Sequence, residues 1–208
     1  LEPAEQSFSA GSDEDIWSLT NGRRASLQNA KAAVSMGADM IVLTGNPGIG
    51  VQNKAITASL KAIAPELGDK VILVAGKMHA SGILCEAGRG IITREDISEF
   101  ADAGADVILL PAPGTVPGVT MEYIRELVSY AHSLGLLALT AVGTSQEGAD
   151  QQTIRQIALM CKMTGTDMHH LGDAGYIGMA LPENIMAYSA AIKGIRHTYR
   201  RMARSINR

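Results

Sequence analysis

The chain carries no excess of positive charge. Its 18 Lys and Arg stand against 21 Asp and Glu, a formal net charge of -3. That gives no general pull toward nucleic acid. No apolar run approaches the roughly 18 residues of a membrane span, so no membrane partner is expected. The N-terminal stretch does not read as a signal peptide. Cysteine is scarce: Cys85 and Cys161 lie in unrelated contexts. They read as free thiols of a reducing cytoplasm, although two Cys can also close one disulfide. The chain begins at Leu1 rather than Met, and an N-terminal part is expected to precede it.

What is present is a core. Of 208 residues, 46% are hydrophobic and 19% charged, the balance of a globular domain with enough chain to bury a sizeable interior. One design recurs in it. "MGADMIVLTG", "AGADVILLPAPG" and "TGTDMHHLGDAG" each run Gly, Asp, a short stretch, then a Gly-rich loop; "LGDKVILVAG" and "LGLLALTAVG" are looser versions. Their leading glycines, Gly37, Gly68, Gly104, Gly135 and Gly165, are spaced by 31, 36, 31 and 30 residues. That is the length of a βα unit. A glycine before each strand fits a helix C-cap.

Helical patterns fill the gaps. Ser26 is an N-cap candidate, Thr93 with Asp96 a capping box, Thr120 and Asp150 further starts, and Pro182 opens a long last helix. The strands, expected at 39–44, 71–76, 106–110, 136–142 and 167–171, are almost wholly apolar rather than alternating. That suits parallel strands covered by helices. A doubly wound open sheet and a (β/α)8 TIM barrel both meet this description. A barrel takes about 250 residues. The opening "LEP" reads as the tail of a strand, and two earlier βα units would bring the total to eight. The regular period favours the barrel: residues 1–208 are expected to be a single barrel domain showing its last five βα units and a preceding helix, and lacking its N-terminal strands.

The segments "VLTGNPGIGV", "AGKMHASG", "LLPAPGTVPG", "TAVGTSQEGAD", "TGTDMHHLGDAGY" and "GIRHTYRRMARS" resemble those of an uncharacterised bacterial TIM-barrel family. Its members are labelled haloacid-dehalogenase-like or phosphoenolpyruvate-phosphonomutase-like. The resemblance covers nearly the whole chain and implies the barrel fold and an absent N-terminal third. It carries no reaction with it. A dehalogenase-type nucleophile needs Asp-x-Asp at a strand end, and here "SDEDIW" sits in a polar loop. The phosphonomutase pattern of strand-end Lys and Cys is echoed only by Lys77 and Cys85.

Polarity is distributed unevenly along each unit. Turns leading into strands are short, whereas the segments that follow strands are long and rich in Gly, Pro and polar groups. In barrels the strand C-terminal face carries the site. "VILVAGKMHASG" ends its apolar run there in Lys77, Met78 and His79. Nine residues on from the leading glycines stand Asn46, Lys77, Pro113, Thr144 and Ala174, and this parity is expected to point into the barrel mouth, with Met78 on the other side. By the same count His170 points inward and His169 toward the helices.

Each candidate has a bland alternative beside it. Lys77 reads as a nucleophile that forms an imine or stabilises an enolate, or as a rim residue paired with Glu2 or Glu147. His79, His170 and Asp173 are candidates to move protons, but His170 also suits a satisfied core imidazole and Asp173 a loop-shaping turn. The loops holding Gly143, Thr144, Ser145, Gly172 and Gly175 suit an anion, with Asn46 nearby, if they follow strands seven and eight. Glu147 speaks against phosphate there unless it points away. No cofactor is expected; a divalent metal on Glu2, His79 and His170 is the alternative, without the spacing of a known ligand motif. The basic end, Lys193 to Arg208, reads as a solvated helix face or part of a subunit interface.

The expectation is an enzyme for a small carbonyl or phosphorylated metabolite, working by lyase, aldolase or isomerase chemistry, in a homo-oligomer. A metal-dependent hydrolase or lyase, and a non-catalytic barrel with a binding or assembly role, are the competing readings.

Overall fold

The apolar runs form five parallel strands in the order β1-β2-β3-β4-β5: Met40–Leu43, Ile72–Gly76, Val107–Pro111, Leu137–Val142 and Met168–Leu171. The computed structural model describes residues 1–3, 20–45, 51–79, 88–172 and 180–204. Among the described residues seven α-helices accompany the strands: α1 Leu27–Ser35, α2 Asn53–Leu67, α3 Arg94–Asp102, α4 Met121–Ser133, α5 Gln151–Thr164, α6 Pro182–Lys193 and α7 Ile195–Met202. Among the described residues one α-helix separates each pair of consecutive strands, and every neighbouring pair is parallel. The sheet curls as part of a (β/α)8 barrel. Leu1 adds to its far edge: its N donates to Val42 O at 2.7 Å and its carbonyl accepts from Thr44 N. The "LEP" opening thus lies beside β1 as a strand tail would.

Local signals account for the helix starts. Ser26, Thr120 and Asp150 each accept a backbone N–H of the first turn, and Thr93 and Asp96 complete a reciprocal capping box. Such caps contribute about 1 kcal/mol each. Pro182 stands first in α6, as expected. The single long final helix does not form. Gly194 (φ 81°, ψ 151°) leaves the helical region and divides α6 from α7. The leading glycines also vary: Gly165 closes α5 in the left-handed conformation (φ 84°), but Gly68 closes α2 in the right-handed one (φ -57°).

Alternation along the strands sorts the core into two layers. Leu73, Ala75, Ile108, Leu110 and Ala138 pack with helix residues such as Ile56, Leu60, Phe100 and Ile124. Val74, Val107, Leu109, Leu139 and Ala141 pack with one another inside the curl, joined by Val42, Met78 and Met168. Both faces are apolar, which is why the strands read as continuous runs.

The recurring Asp has a structural task at the strand N-termini. Asp106 Oδ2 accepts from Leu73 N at 2.8 Å, and Asp167 Oδ2 accepts from Ala138 N at 2.8 Å. Each ties its own strand to the one before. Asp167 also meets His132 Nε2 at 2.8 Å. Partial burial opposes the charge of Asp167, but the amide and the imidazole outweigh it and hold its carboxyl below the usual range.

Candidate functional site at the strand C-termini

β2 ends on a constrained glycine. Gly76 has φ 150°, and a Cβ there would overlap the Leu109 carbonyl of β3. Only Gly permits this approach. Lys77 follows directly and is 0% exposed. Lys, the residue least often found inside, is here among the largest fully buried side chains of the protein. His79 is half-buried. Burial, and after it the charge of Lys77, push its imidazole below the ordinary pKa of 6.5. At neutral pH His79 is therefore an uncharged base beside a buried amine.

The parity expected for this segment fails at Met78, which was expected on the other side and instead joins the inner cluster. The count from the leading glycines failed because it slips between units. Gly76, Leu109, Leu139 and Met168 are in pairing register, yet they stand eight, five, four and three residues after their glycines. Thr144 is accordingly not level with Lys77. In register, Leu110, Thr140 and His169 stand one residue beyond that row.

Met78 marks where the ends of three strands converge. A Cβ on Gly143, just past β4, would come 3.0 Å from Met78 Sδ. A Cβ on Gly172, just past β5, would come 3.8 Å from Gly143 Cα and 3.9 Å from His170 Cε1. The inward-facing His170 is thus as expected: it pairs with Ala141 of the inner cluster, and it is exposed. His169 turns to the helices, also as expected. Its Nδ1 lies 2.9 Å from the Tyr188 hydroxyl of α6, with the rings edge to face. Burial, then the charge of Lys193, lower its pKa. Behind it burial raises the pKa of both Tyr188 and Cys161. Thr140 Oγ1 lies close enough to both to influence them but makes no hydrogen bond.

The loop after β4 is strained. Thr144 (φ 61°) and Ser145 (φ 65°) are both left-handed, and Gln146 N donates to Gly143 O across them at 3.2 Å. For a β-branched residue this is a genuine outlier. Both are exposed, and among the described residues neither their amides nor their hydroxyls bond to other protein groups. Gly172 differs. Its N–H is taken by Val142 O at 2.8 Å, so that member of the expected anion cradle is already engaged.

Two further residues complete the loop. Glu147 is 5% exposed, and its Oε2 has no hydrogen-bond partner. Asn184, on α6 and 2% exposed, donates through Nδ2 to the carbonyls of Glu147 (2.9 Å) and Ala149 (2.8 Å). Sequence reasoning weighed Glu147 as a partner for Lys77 and as a charge against phosphate, and missed Asn184 altogether; an Asn inside a helix carries no signal of a partner 37 positions away. Glu2 binds Arg23 at 2.7 Å. Among the described residues no three His, Cys, Asp or Glu come together as they would around a metal, so Glu2, His79 and His170 do not form such a group. Asn46, Cys85, Asp173, Gly175 and the "SDEDIW" stretch lie outside the described residues. Among those described, no helix is long and apolar enough to cross a membrane.

Parallel strands joined by helices, with polar groups gathered at the strand C-termini, define the class: a TIM-barrel chain with a candidate site on the usual face. Residues 1–208 match the family described as "Domain of unknown function (DUF7916)", and the chain belongs to it. No curated protein matches its sequence at a significant level. Among solved structures the chain is similar to a deoxyribose phosphate aldolase from Aeropyrum pernix, described as tetrameric, at 17% identity and TM-score 0.59. It covers 85% of this chain and 68% of that one. An oxaloacetate acetylhydrolase aligns at 15% identity and TM-score 0.56, over 81% of this chain and 61% of that. A mutant methylaspartate ammonia lyase from Clostridium tetanomorphum aligns at 15% identity and TM-score 0.51, over 85% and 37%. The chain thus spans under two thirds of the length of the last two. At such identities the likeness establishes the fold.

Proposed function

We propose that this protein is an enzyme for a small carbonyl metabolite, working by lyase, aldolase or isomerase chemistry at the strand C-terminal face. The observation that carries the reading is Lys77: an amine wholly buried at the end of β2, whose charge is felt by a neutral, half-buried His79. Burying a Lys is costly, and a fold that does so at the face where barrels keep their sites has a use for it. In an imine mechanism Lys77 Nζ attacks the carbonyl carbon, the new C–N bond replaces C=O, and the oxygen leaves as water. His79, uncharged, relays the protons this exchange requires. Asp173 and His170 are further proton carriers in this reading. The aldolase and lyase among the structural neighbours support the reaction class at a general level only.

A phosphorylated substrate stays within the proposal, because the exposed amides and hydroxyls of Thr144 and Ser145 offer donors to an anion. A homo-oligomer is part of it too, supported by exposed apolar side chains on α6 and α7, Ile185, Ile195, Tyr199 and Met202. So is a cytoplasmic setting, supported by the scarcity of cysteine.

Lys77→Met tests the reading with little change in volume. The native protein, incubated with a small aldehyde and borohydride, should gain the mass of a reduced adduct on Lys77. The substituted protein should fold, shown by an unchanged circular dichroism spectrum, and gain none. A Lys77→Met protein that simply unfolds assigns the residue to structure.

A further inference from the structure

Glu147 is the acidic group in this region that the mechanism above does not use. Its side chain is almost fully withdrawn from water, and Oε2 is bonded to nothing. A buried polar atom without a partner is costly, more so if charged, so native structures keep few of them. The surroundings do not relax to relieve it. Two non-glycine residues just before it, Thr144 and Ser145, hold strained left-handed conformations. Buried Asn184 then clamps the carbonyls of Glu147 itself and of Ala149. The loop therefore fixes the backbone that bears an unsatisfied carboxylate, on the face where three strand ends converge.

We propose that Glu147 is a substrate-binding acid: it accepts a hydrogen bond from a hydroxyl group of the substrate, so that the preferred substrates are hydroxylated carbonyl compounds. The identity of the partner group follows from elimination. An anionic group would be repelled by the carboxylate, which leaves any phosphoryl group to the outer side of the loop at Thr144 and Ser145. A divalent cation needs several ligands, and among the described residues no acidic or imidazole group of that size exists. An ammonium would have to enter a face that already carries the positive charge of Lys77. A neutral hydroxyl supplies the missing donor without added charge. The inference rests on the carbonyl reading for the reacting end of the substrate, but the Glu147 contact itself does not pass through Lys77.

Two measurements decide it. The first needs no ligand. If Glu147 serves a substrate rather than the fold, Glu147→Met removes the orphan at similar volume, and the protein should melt at a temperature equal to or above that of the native one. Melting several degrees lower would mean that the carboxylate holds the structure together, and would overturn the proposal. The second uses borohydride trapping with glyceraldehyde and with propanal, which lacks the hydroxyls. The native protein should be half-modified at a concentration of glyceraldehyde about tenfold or more below that of propanal, as a hydrogen bond to a charged group implies. Glu147→Gln, which loses the charged acceptor, should abolish that preference, read as the ratio of the two half-modifying concentrations within each protein. A preference that survives in Glu147→Gln, or was never there, overturns the inference while leaving Lys77 as the nucleophile. If native protein traps neither aldehyde, the carbonyl reading fails by itself. Glu147 is then judged by erythritol, which must raise the melting temperature of native protein more than that of Glu147→Gln; an equal rise overturns it.

Discussion

At the strand N-termini Asp106 and Asp167 each bind an amide of the preceding strand, whereas past the C-terminus of β4 Glu147 is buried with its Oε2 unbonded. The two rims grow from the same repeat and the same strands. Below, the turns before β3 and β5 each end in an Asp that closes the fold. Above lie left-handed Thr144 and Ser145, a close approach of Gly76 to Leu109 that only glycine permits, and a fully buried Lys77. A polar group that is satisfied serves stability. One that is held unsatisfied by a rigid frame is positioned for something not yet bound. Removing groups from the two rims should therefore have opposite signatures.

The largest effect is expected where the upper rim is most constrained. Gly76→Ala forces a Cβ into the Leu109 carbonyl and strains a φ that L residues avoid. It should destabilise by more than about 3 kcal/mol in urea unfolding. An unfolding free energy within about 1 kcal/mol of native would show that β2 and β3 separate easily, and would weaken the placement of Lys77.

On the lower rim, Asp106→Ala leaves the buried Leu73 amide without its acceptor and should cost about 1–3 kcal/mol. Aldehyde trapping by the folded protein should stay at the native level. Lost trapping at full stability would erase the distinction between the rims.

Thr144→Gly should act in the reverse direction. Glycine takes φ 61° without penalty, so the protein gains about 1 kcal/mol, offset in part by added chain entropy when unfolded. Ligand capture should weaken because the loop loses its fixed shape. A less stable protein would show that the left-handed turn carries no strain.

The smallest effect is on pH dependence. His79 and His169 both titrate below 6.5 in the folded protein, chiefly because they are buried. Below 6.5 the unfolded chain takes up protons first. Their contribution to stability is therefore complete above 6.5 and lost as pH falls through the folded values. Urea midpoints between pH 8 and 5 should fall toward acid, and the fall should shrink in His79→Gln. A midpoint that rises on acidification would contradict the burial of both imidazoles.

Strand positions, helix starts and the barrel class were legible because each depends on neighbours in sequence. The apolar runs at 72–76 and 137–142, the Ser26 and Asp150 caps, and the roughly 30-residue period need no tertiary contact to be recognised. The inward turn of His170 and the outward turn of His169 came from the count from the leading glycines, whose parity holds in that unit. Lys77 shows the limit. Alternation says that Lys77 and Met78 face opposite ways, but not which one faces in. The count from the leading glycines was a poor guide because the pre-strand turns differ in length.

What the amino-acid order determined by itself is therefore the inventory: which segments are strands, which are helices, and which rim carries the polar loops. The tertiary structure alone decided how those pieces meet. Register between parallel strands comes from the packing of helices over the sheet, which sets Gly76 beside Leu109. The Met78–Gly143–Gly172 convergence and the Asn184 clamp on Glu147 join positions 29 to 65 residues apart, and no local preference encodes such distances. Burial of Lys77 and Glu147 is likewise a property of the surfaces closed over them, not of the residues themselves.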